Sequence, residues 1–432
     1  MTHQRPAVLW LLLLTAGAVR AQAPLLPPGE REPFLRLETG GPTAVVTGLA
    51  FSPDGQMLYA AGWDKVVRVW VREPRTGRYL LAPHAYRVPI GPGLDGAINA
   101  LALSSDGTWL AVGGRGVVRG ESGFRDVGLV IPTAIGSLTP ERRLDRGLIY
   151  VFNTRTQAVR LLRGHRGQVL SLAFAPSRPG QPPLLVSVGQ DWDDQTGKYV
   201  GAVRLWDLTR DEPQQAFQDH LPDPGNTRPG LVVTANGEAD VSAGLAWGDG
   251  RFRLWLPRRD AAAVQAQEDG RFNSVAAAQG SLVLTGSMVG YSGRLQVWSL
   301  NPFRADPQGQ VVFPPQGSVA YFPRALTLLS SKPNGPTDLA AVVLRAGSQP
   351  PSYRLDLIDL RPTSFGQVRA RLDLWKGSLK QPVMAAAPGG TMLAVTGNDE
   401  FEIFLYPIAD LLAGKAEPQR LRGVGATFRY VA

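Results

Sequence analysis

The sequence predicts an all-β chain, a β-propeller of seven four-stranded blades. Three observations carry this. Short apolar runs alternate with tight-turn residues over nearly the whole 432-residue chain. One phrase of such runs recurs in looser copies. Three of the copies end on Trp206, Trp255 and Trp298, which lie 49 and 43 residues apart. Strand repeats with a period near 40–45 residues mark propeller blades, and no amphipathic helix of useful length interrupts them.

The phrase is clearest from Gly48 to Trp70, "GLAFSPDGQMLYAAGWDKVVRVW". Leu49 and Phe51 share one side of an extended run, and Gly48 and Ala50 share the other, which is strand periodicity with a large and a small face. Ser52-Pro53-Asp54-Gly55 suits a tight turn, with proline at the second position and glycine closing it. A second strand follows at Met57 to Ala61, and a third at Val66 to Val71, holding Trp70. A three-stranded meander cannot hide both of its faces alone.

The echoes supply its neighbours. "GAINALALSSDGTWLAVGG" (Gly96 to Gly114) is followed, after an insertion at about 115–146, by "GLIYVFN", with Phe152 in the tryptophan slot. The third copy ends on Trp206, the fourth on Trp255 and the fifth on Trp298. A degenerate sixth, from about Gly317, puts Ile358 there, and the seventh puts Tyr406 there. "RYLLAP" (Arg78 to Pro83) and "QAVRLLRG" (Gln157 to Gly164) read as fourth, outermost strands. Inner strands such as "VLSLAF" are apolar on nearly every residue because both faces of a blade pack on neighbours.

The ends leave two closures open. "PFLRLET" (Pro33 to Thr39) and "EPQRLRG" (Glu417 to Gly423) both read as outermost strands, and "ATFRYVA" begins another inner one. Either the N-terminal strand completes the last blade, or an eighth blade is cut short. The abrupt end suggests the first part of a longer, multidomain parent.

Residues 1–23 read as a signal peptide. Arg5 precedes the short apolar core Ala7 to Ala18, and Ala21-Gln22-Ala23 precedes Pro24 as a cleavage site. The apolar run falls short of the about 20 residues a spanning helix needs, so an uncleaved anchor is the weaker reading. Residues 24–432 form the propeller. The sequence implies export, to a periplasm or beyond the cell, with no membrane span after cleavage.

The chain has no cysteine, which excludes thiol catalysis, iron–sulfur clusters and cysteine zinc sites. Its size suffices for a core without disulfides. Net charge is +9, spread without any block of like charges. A nucleic-acid partner would require such a patch, so none is expected.

The third copy carries a family resemblance. Gly164-His165 and Trp206-Asp207 match the Gly-His and Trp-Asp pairs of the WD-repeat family of β-propellers, and strand rhythm extends the match over nearly the whole mature chain. The chain resembles an exported, bacterial-type WD-repeat protein. In that family a His, Ser/Thr, Asp and Trp form a structural network within the blade. The resemblance implies His165, Ser187, Asp191 and Trp206 for it. Other copies depart from the pattern: the first has Asp64 and Trp70 but Gly41-Pro42, the fourth Asp249 and Trp255, and the fifth Thr285 and Trp298 without an aspartate.

No catalytic, cofactor-binding or metal-ligating set assembles from the sequence. His165 fits the structural network better than a ligand or a base. His84 and His220 stand in separate proline-containing loops without partners at ligand spacing. "GGRGVVRG" (Gly113 to Gly120) lacks the third glycine and the helix of a dinucleotide loop. "DWDDQTGKY" (Asp191 to Tyr199) lacks the glycine and glutamate of a calcium loop, and reads as a solvated acidic loop.

The insertion at 115–146 mixes arginines with the apolar stretch Val127 to Leu138. Such a stretch either folds back on the blade, the favoured reading, or offers a contact surface. The second-to-third-strand connections of blades two and three lie on one rim. Arg115, Arg119, Arg125, Trp192, Asp193 and Asp194 are therefore the candidate partner-binding residues. The leading expectation is a monomeric, non-catalytic scaffold that binds protein partners through this rim, since loops on a rigid frame carry recognition. The alternative is an exported propeller enzyme, a lactonase-like hydrolase or a quinoprotein-like dehydrogenase.

Overall fold

The computed structural model describes residues 40–117 and 147–423, apart from 92, 177–182, 211–214, 225–227, 237–239, 248, 250, 258–264, 269–270, 280, 315–318, 333, 348–349, 378–381, 398–400 and 416. The expected signal peptide, "PFLRLET", "ATFRYVA" and most of the blade-two insertion, with Arg119 and Arg125, lie outside the described residues.

Seven four-stranded antiparallel sheets follow one another along the chain. Blade one is β1 (Val46–Phe51), β2 (Met57–Gly62), β3 (Val66–Arg72) and β4 (Tyr79–Arg87). Blade two is β5 (Ile98–Leu103), β6 (Trp109–Gly114), β7 (Gly147–Asn153) and β8 (Val159–His165). Blade three is β9 (Val169–Phe174), β10 (Leu184–Asp193), β11 (Lys198–Asp207) and β12 (Gln215–Leu221). Blade four is β13 (Gly230–Asn236), β14 (Asp240–Ala246), β15 (Arg251–Trp255) and β16 (Gln265–Glu268). Blade five is β17 (Arg271–Gln279), β18 (Leu282–Val289), β19 (Ser292–Leu300) and β20 (Phe303–Phe313). Blade six is β21 (Tyr321–Leu329), β22 (Leu339–Ala346), β23 (Ser352–Asp359) and β24 (Val368–Lys376). Blade seven is β25 (Val383–Ala386), β26 (Met392–Thr396), β27 (Ile403–Pro407) and β28 (Gln419–Leu421), with the short helix α1 (Ile408–Leu412) before its last strand.

The blades start from the turns the sequence dictates. Gly55 N donates to Ser52 O at 2.8 Å, and Gly55 takes φ +66°, where a side chain would be strained. Ser52 Oγ accepts from Met57 N at 2.8 Å and locks the hairpin. Blade two repeats the device, with Ser104 Oγ accepting from Trp109 N at 2.9 Å. The tryptophan slot has a constant register. Trp70 faces Leu58, Phe152 faces Leu110, Trp206 faces Leu185, and Tyr406 faces Leu393. Ile358 faces Ala340 in the degenerate sixth copy.

The core is divided among the joints. Each hydrophobic cluster of the described residues takes side chains from two adjacent blades: Trp206 of blade three packs with Ala100 and Ile149 of blade two, and Trp255 of blade four with Val186 and Leu205 of blade three. Small faces make this possible. A Cβ on Gly48 would lie 2.5 Å from Leu101 Cβ of the next blade.

The ring closes at a joint of the same kind. Val46, Leu58 and Trp70 of blade one cluster with Ala394, Leu405 and Leu421 of blade seven. Tyr79 N donates to Gln419 Oε1 at 2.9 Å, and Gln419 Nε2 returns a bond to Tyr79 O at 2.7 Å. Gly41 packs so tightly on the chain at Arg422 and Gly423 that a Cβ would lie 2.3 Å from Gly423 N. Blade seven draws its outermost strand from Gln419–Leu421, within the expected strand Glu417 to Gly423 and after α1, and among the described residues no eighth blade stands between it and blade one.

Two further expectations are corrected. His84 and His220 lie in the outermost strands β4 and β12, not in loops. The stretch Asp191 to Tyr199 is a β-ribbon rather than an acidic loop, because β10 and β11 keep pairing as far as Asp193 and Lys198.

Candidate interaction surface

His165 ends β8 and is fully buried. Its Nε2 lies 2.7 Å from Ser187 Oγ, which also accepts the indole N–H of Trp206 at 2.8 Å. The three side chains thus link the outer strand of blade two to the second and third strands of blade three. Burial pushes the imidazole well below its ordinary pKa, and the Arg204 cation adds to the effect, so the ring is neutral. Blade five builds a two-membered version, Trp298 Nε1 donating to Thr285 Oγ1 at 2.8 Å.

Asp191 is buried nearby but does not join this network. Its Oδ1 accepts from Arg166 N at 2.7 Å and its Oδ2 from Arg204 Nη2 at 2.5 Å. His165 Nδ1 is left without a hydrogen-bond partner. Burial raises the Asp191 pKa, and the Arg204 cation opposes that rise.

The same aspartate–arginine pairing recurs, and reading by motif missed it. Asp64 pairs with Arg68 in blade one, both side chains being buried. Asp249 receives a two-pronged contact from Arg253 in blade four, at 2.9 and 2.5 Å. In each case the arginine stands two residues before the tryptophan slot. The signal was present as "VRVW", "VRLW" and "FRLW". Blade five puts Gln296 there, whose Nε2 donates to Asp306 O at 2.7 Å. Blade six puts Asp356 there, held by Arg371 at 3.1 and 3.3 Å.

The connections from second to third strands all leave one face of the ring, here the upper face. In blade three, β10 and β11 run on as a ribbon whose turn is closed by Gly197 N donating to Asp193 O at 2.9 Å. Trp192 faces Tyr199 across the ribbon, ring centroids 5.2 Å apart and edge to face. Arg166 Nη1 donates to exposed Asp194 at 2.6 Å. Asp193 is spent on the turn, accepting from Gln195 N at 2.9 Å and Thr196 Oγ1 at 2.7 Å. Arg115, at the root of the blade-two insertion, donates to Gln168 Oε1 at 3.3 Å. Gln168 also receives Asn99 Nδ2 at 3.1 Å, and Asn99 Oδ1 receives the Trp63 indole at 3.3 Å. A polar line therefore runs across blades one, two and three. In blade five the corresponding turn carries Val289 and Tyr291, 45% and 81% exposed.

The described residues contain no group of three or more His, Cys, Asp or Glu side chains placed to hold a metal ion. No helix among them is long and apolar enough to cross a membrane.

Comparison with known proteins bears on the fold. Residues 35–71 and 89–119 match the family described as WD domain, G-beta repeat. The solved structure of U3-55K covers 84% of this chain with 91% of its own, at a TM-score of 0.52 and 18% identity. That of the RRP9 WD40 repeats covers 84% with 90% of its own, at 0.52 and 17% identity. The chain is a seven-bladed β-propeller, and two of its stretches are similar to WD repeats. No curated protein matches its sequence. WD-repeat propellers commonly serve as protein-interaction scaffolds, and at these identities the solved structures speak for the fold alone. This propeller pairs Asp191 with Arg204 in blade three and leaves His165 Nδ1 without a hydrogen-bond partner. It repeats that pair in blades one and four, where no Gly-His stands.

Proposed function

We propose that this chain is an exported, non-catalytic scaffold that holds a protein partner on its upper face. The blade-three ribbon is the observation that carries the reading. It lengthens β10 and β11 beyond the pairing that the blade needs, and it presents an aromatic pair, Trp192 and Tyr199, beside the Arg166–Asp194 ion pair. Aromatic and arginine side chains anchor protein interfaces more than other residues do. The upper face also bears Arg115, the root of the blade-two insertion and exposed Tyr291. Export rests on the leader sequence of residues 1–23.

The rim is tested by replacing Asp193 to Lys198 and the flanking Trp192 and Tyr199 with a two-residue Asn-Gly turn, which suits a tight hairpin. Capture of partners from an exported-protein extract should fall, with far-ultraviolet circular dichroism unchanged. A folded variant that keeps every captured partner sinks the rim reading. Export is tested by sequencing the native N-terminus, which should begin at Pro24; a start at Met1 in a membrane fraction would establish an anchor instead. Metal analysis of the purified chain tests the absence of catalysis, since a stoichiometric ion would revive the enzyme reading.

A further inference from the structure

A guanidinium stands inside the ring, at the upper end of the central channel. Arg228 lies in the connection between β12 and β13, between blades three and four. Its Nη1 donates to the carbonyl of Thr47, on the inner strand of blade one. Blades two and three separate these residues on one side and blades four to seven on the other, so the contact crosses the channel. Thr47 can accept it because a bulge between Val46 and Gly48 takes its carbonyl out of the ladder.

The arginine is held firmly. Pro229 follows it and restricts its backbone to extended conformations. The Pro229 carbonyl accepts from Ser171 Oγ of blade three at 2.5 Å, and Ser171 is buried. Burial alone pushes the pKa of its guanidinium down to about 10. Yet the residue keeps solvent-accessible surface, which is what a group lining a channel does.

What the site lacks is negative charge. Among the described residues no carboxylate pairs with Arg228, and its Nε and Nη2 make no hydrogen bond. A second cation, Arg324, stands at the bulge of the blade-six inner strand, also without a carboxylate partner, and burial and the charge of Arg345 lower its pKa. A desolvated cation without a counter-charge is costly, and one with its Nε–Nη2 edge open is shaped to take two parallel oxygens.

We propose that the upper end of the channel is an oxyanion site, anchored by the Nε–Nη2 edge of Arg228. Its ligand is a carboxylate or phosphate group entering from the upper face. Thr47 O holds the third nitrogen, so the open edge is already oriented before the anion arrives. The site is independent of the rim: it uses neither Trp192 nor Arg166, and either reading can fail without the other.

The test follows the Nε–H resonance of Arg228 in the full chain carrying isotope-labelled arginine. The signal is assigned by its loss in Arg228→Lys and, should that variant fail to fold, in Arg228→Gln. Sodium acetate and sodium phosphate are titrated separately at constant ionic strength, with chloride as the balancing salt. A saturable shift with either anion supports the site, and the anion that saturates first identifies the ligand chemistry. The rise in melting temperature that the same anion gives should weaken in Arg228→Lys, with apparent affinity down about tenfold or more, because the lysine keeps the charge and loses the fork. A resonance unmoved by both anions, or moved no more than by chloride, overturns the proposal.

Discussion

Asp191 and Arg204 form an ion pair across two strands of blade three, their side chains 1% and 12% exposed, and the pair takes the carboxylate away from His165. Removing one member of a buried pair leaves the other charged without compensation. Asp191→Ala should cost about 3–5 kcal/mol, while the double change with Arg204→Met should cost much less than the two single changes together. Urea midpoints of the three variants check this. Simple additivity would show that the pair is not coupled.

His165 gives the stability a pH dependence. Its folded pKa lies well below the ordinary value because the ring is buried, so the unfolded chain binds the proton more readily. The stabilisation is complete above the unfolded value of about 6.5 and is lost as pH falls from there toward the folded value. His165→Ala should cost about 1–3 kcal/mol at neutral pH, from the orphaned Ser187 and Trp206 partners. The difference between wild type and variant should then shrink between neutral pH and pH 5. A constant difference would mean that the ring is not buried neutral.

Gly48 tests the packing between blades. Gly48→Ala places a methyl carbon 2.5 Å from Leu101 Cβ, and neither backbone can retreat without disturbing its sheet. The expected cost is about 1–3 kcal/mol, the usual penalty for an overfilled core. A neutral result in thermal unfolding would show that the joint between blades one and two yields.

The closing joint should be the place where the ring opens. Leu421 is buried between blades seven and one, and Leu421→Ala should cost about 2–5 kcal/mol. Hydrogen exchange should rise first in β28 and β1, with blade four least affected. Uniform acceleration around the ring would argue against a weak seam.

Much of this architecture was legible because the repeat states it several times. The turn at Ser52 to Gly55, the strands beside it and the tryptophan register each follow from local rules that act within about ten residues. Ser187, His165 and Trp206 were reached through the family resemblance, and the structure brings these three together. Asp191 was not placed correctly, because a carboxylate chooses among buried partners by three-dimensional proximity, and Arg204 lies closer than the imidazole's second nitrogen. The ribbon at Asp191 to Tyr199 was misread for a related reason: its aspartates look like loop residues, but cross-strand pairing with Val200, Tyr199 and Lys198 overrides that preference. Arg228 gave no local signal at all. Its role depends on a partner 181 residues away in sequence.

The contact of Gly41 with Arg422 and Gly423 has one further consequence. The two ends of the described ring touch, and the joint between them is of the same construction as the others, apolar side chains from two neighbouring blades rather than a shared strand. The ring therefore has no privileged starting point. A gene that joined Gly423 to Gly41 through a short linker and opened instead at the exposed turn around Gly290 would encode the same set of contacts in a rotated order. Which blade is made first by the ribosome is free to vary without changing the object that results.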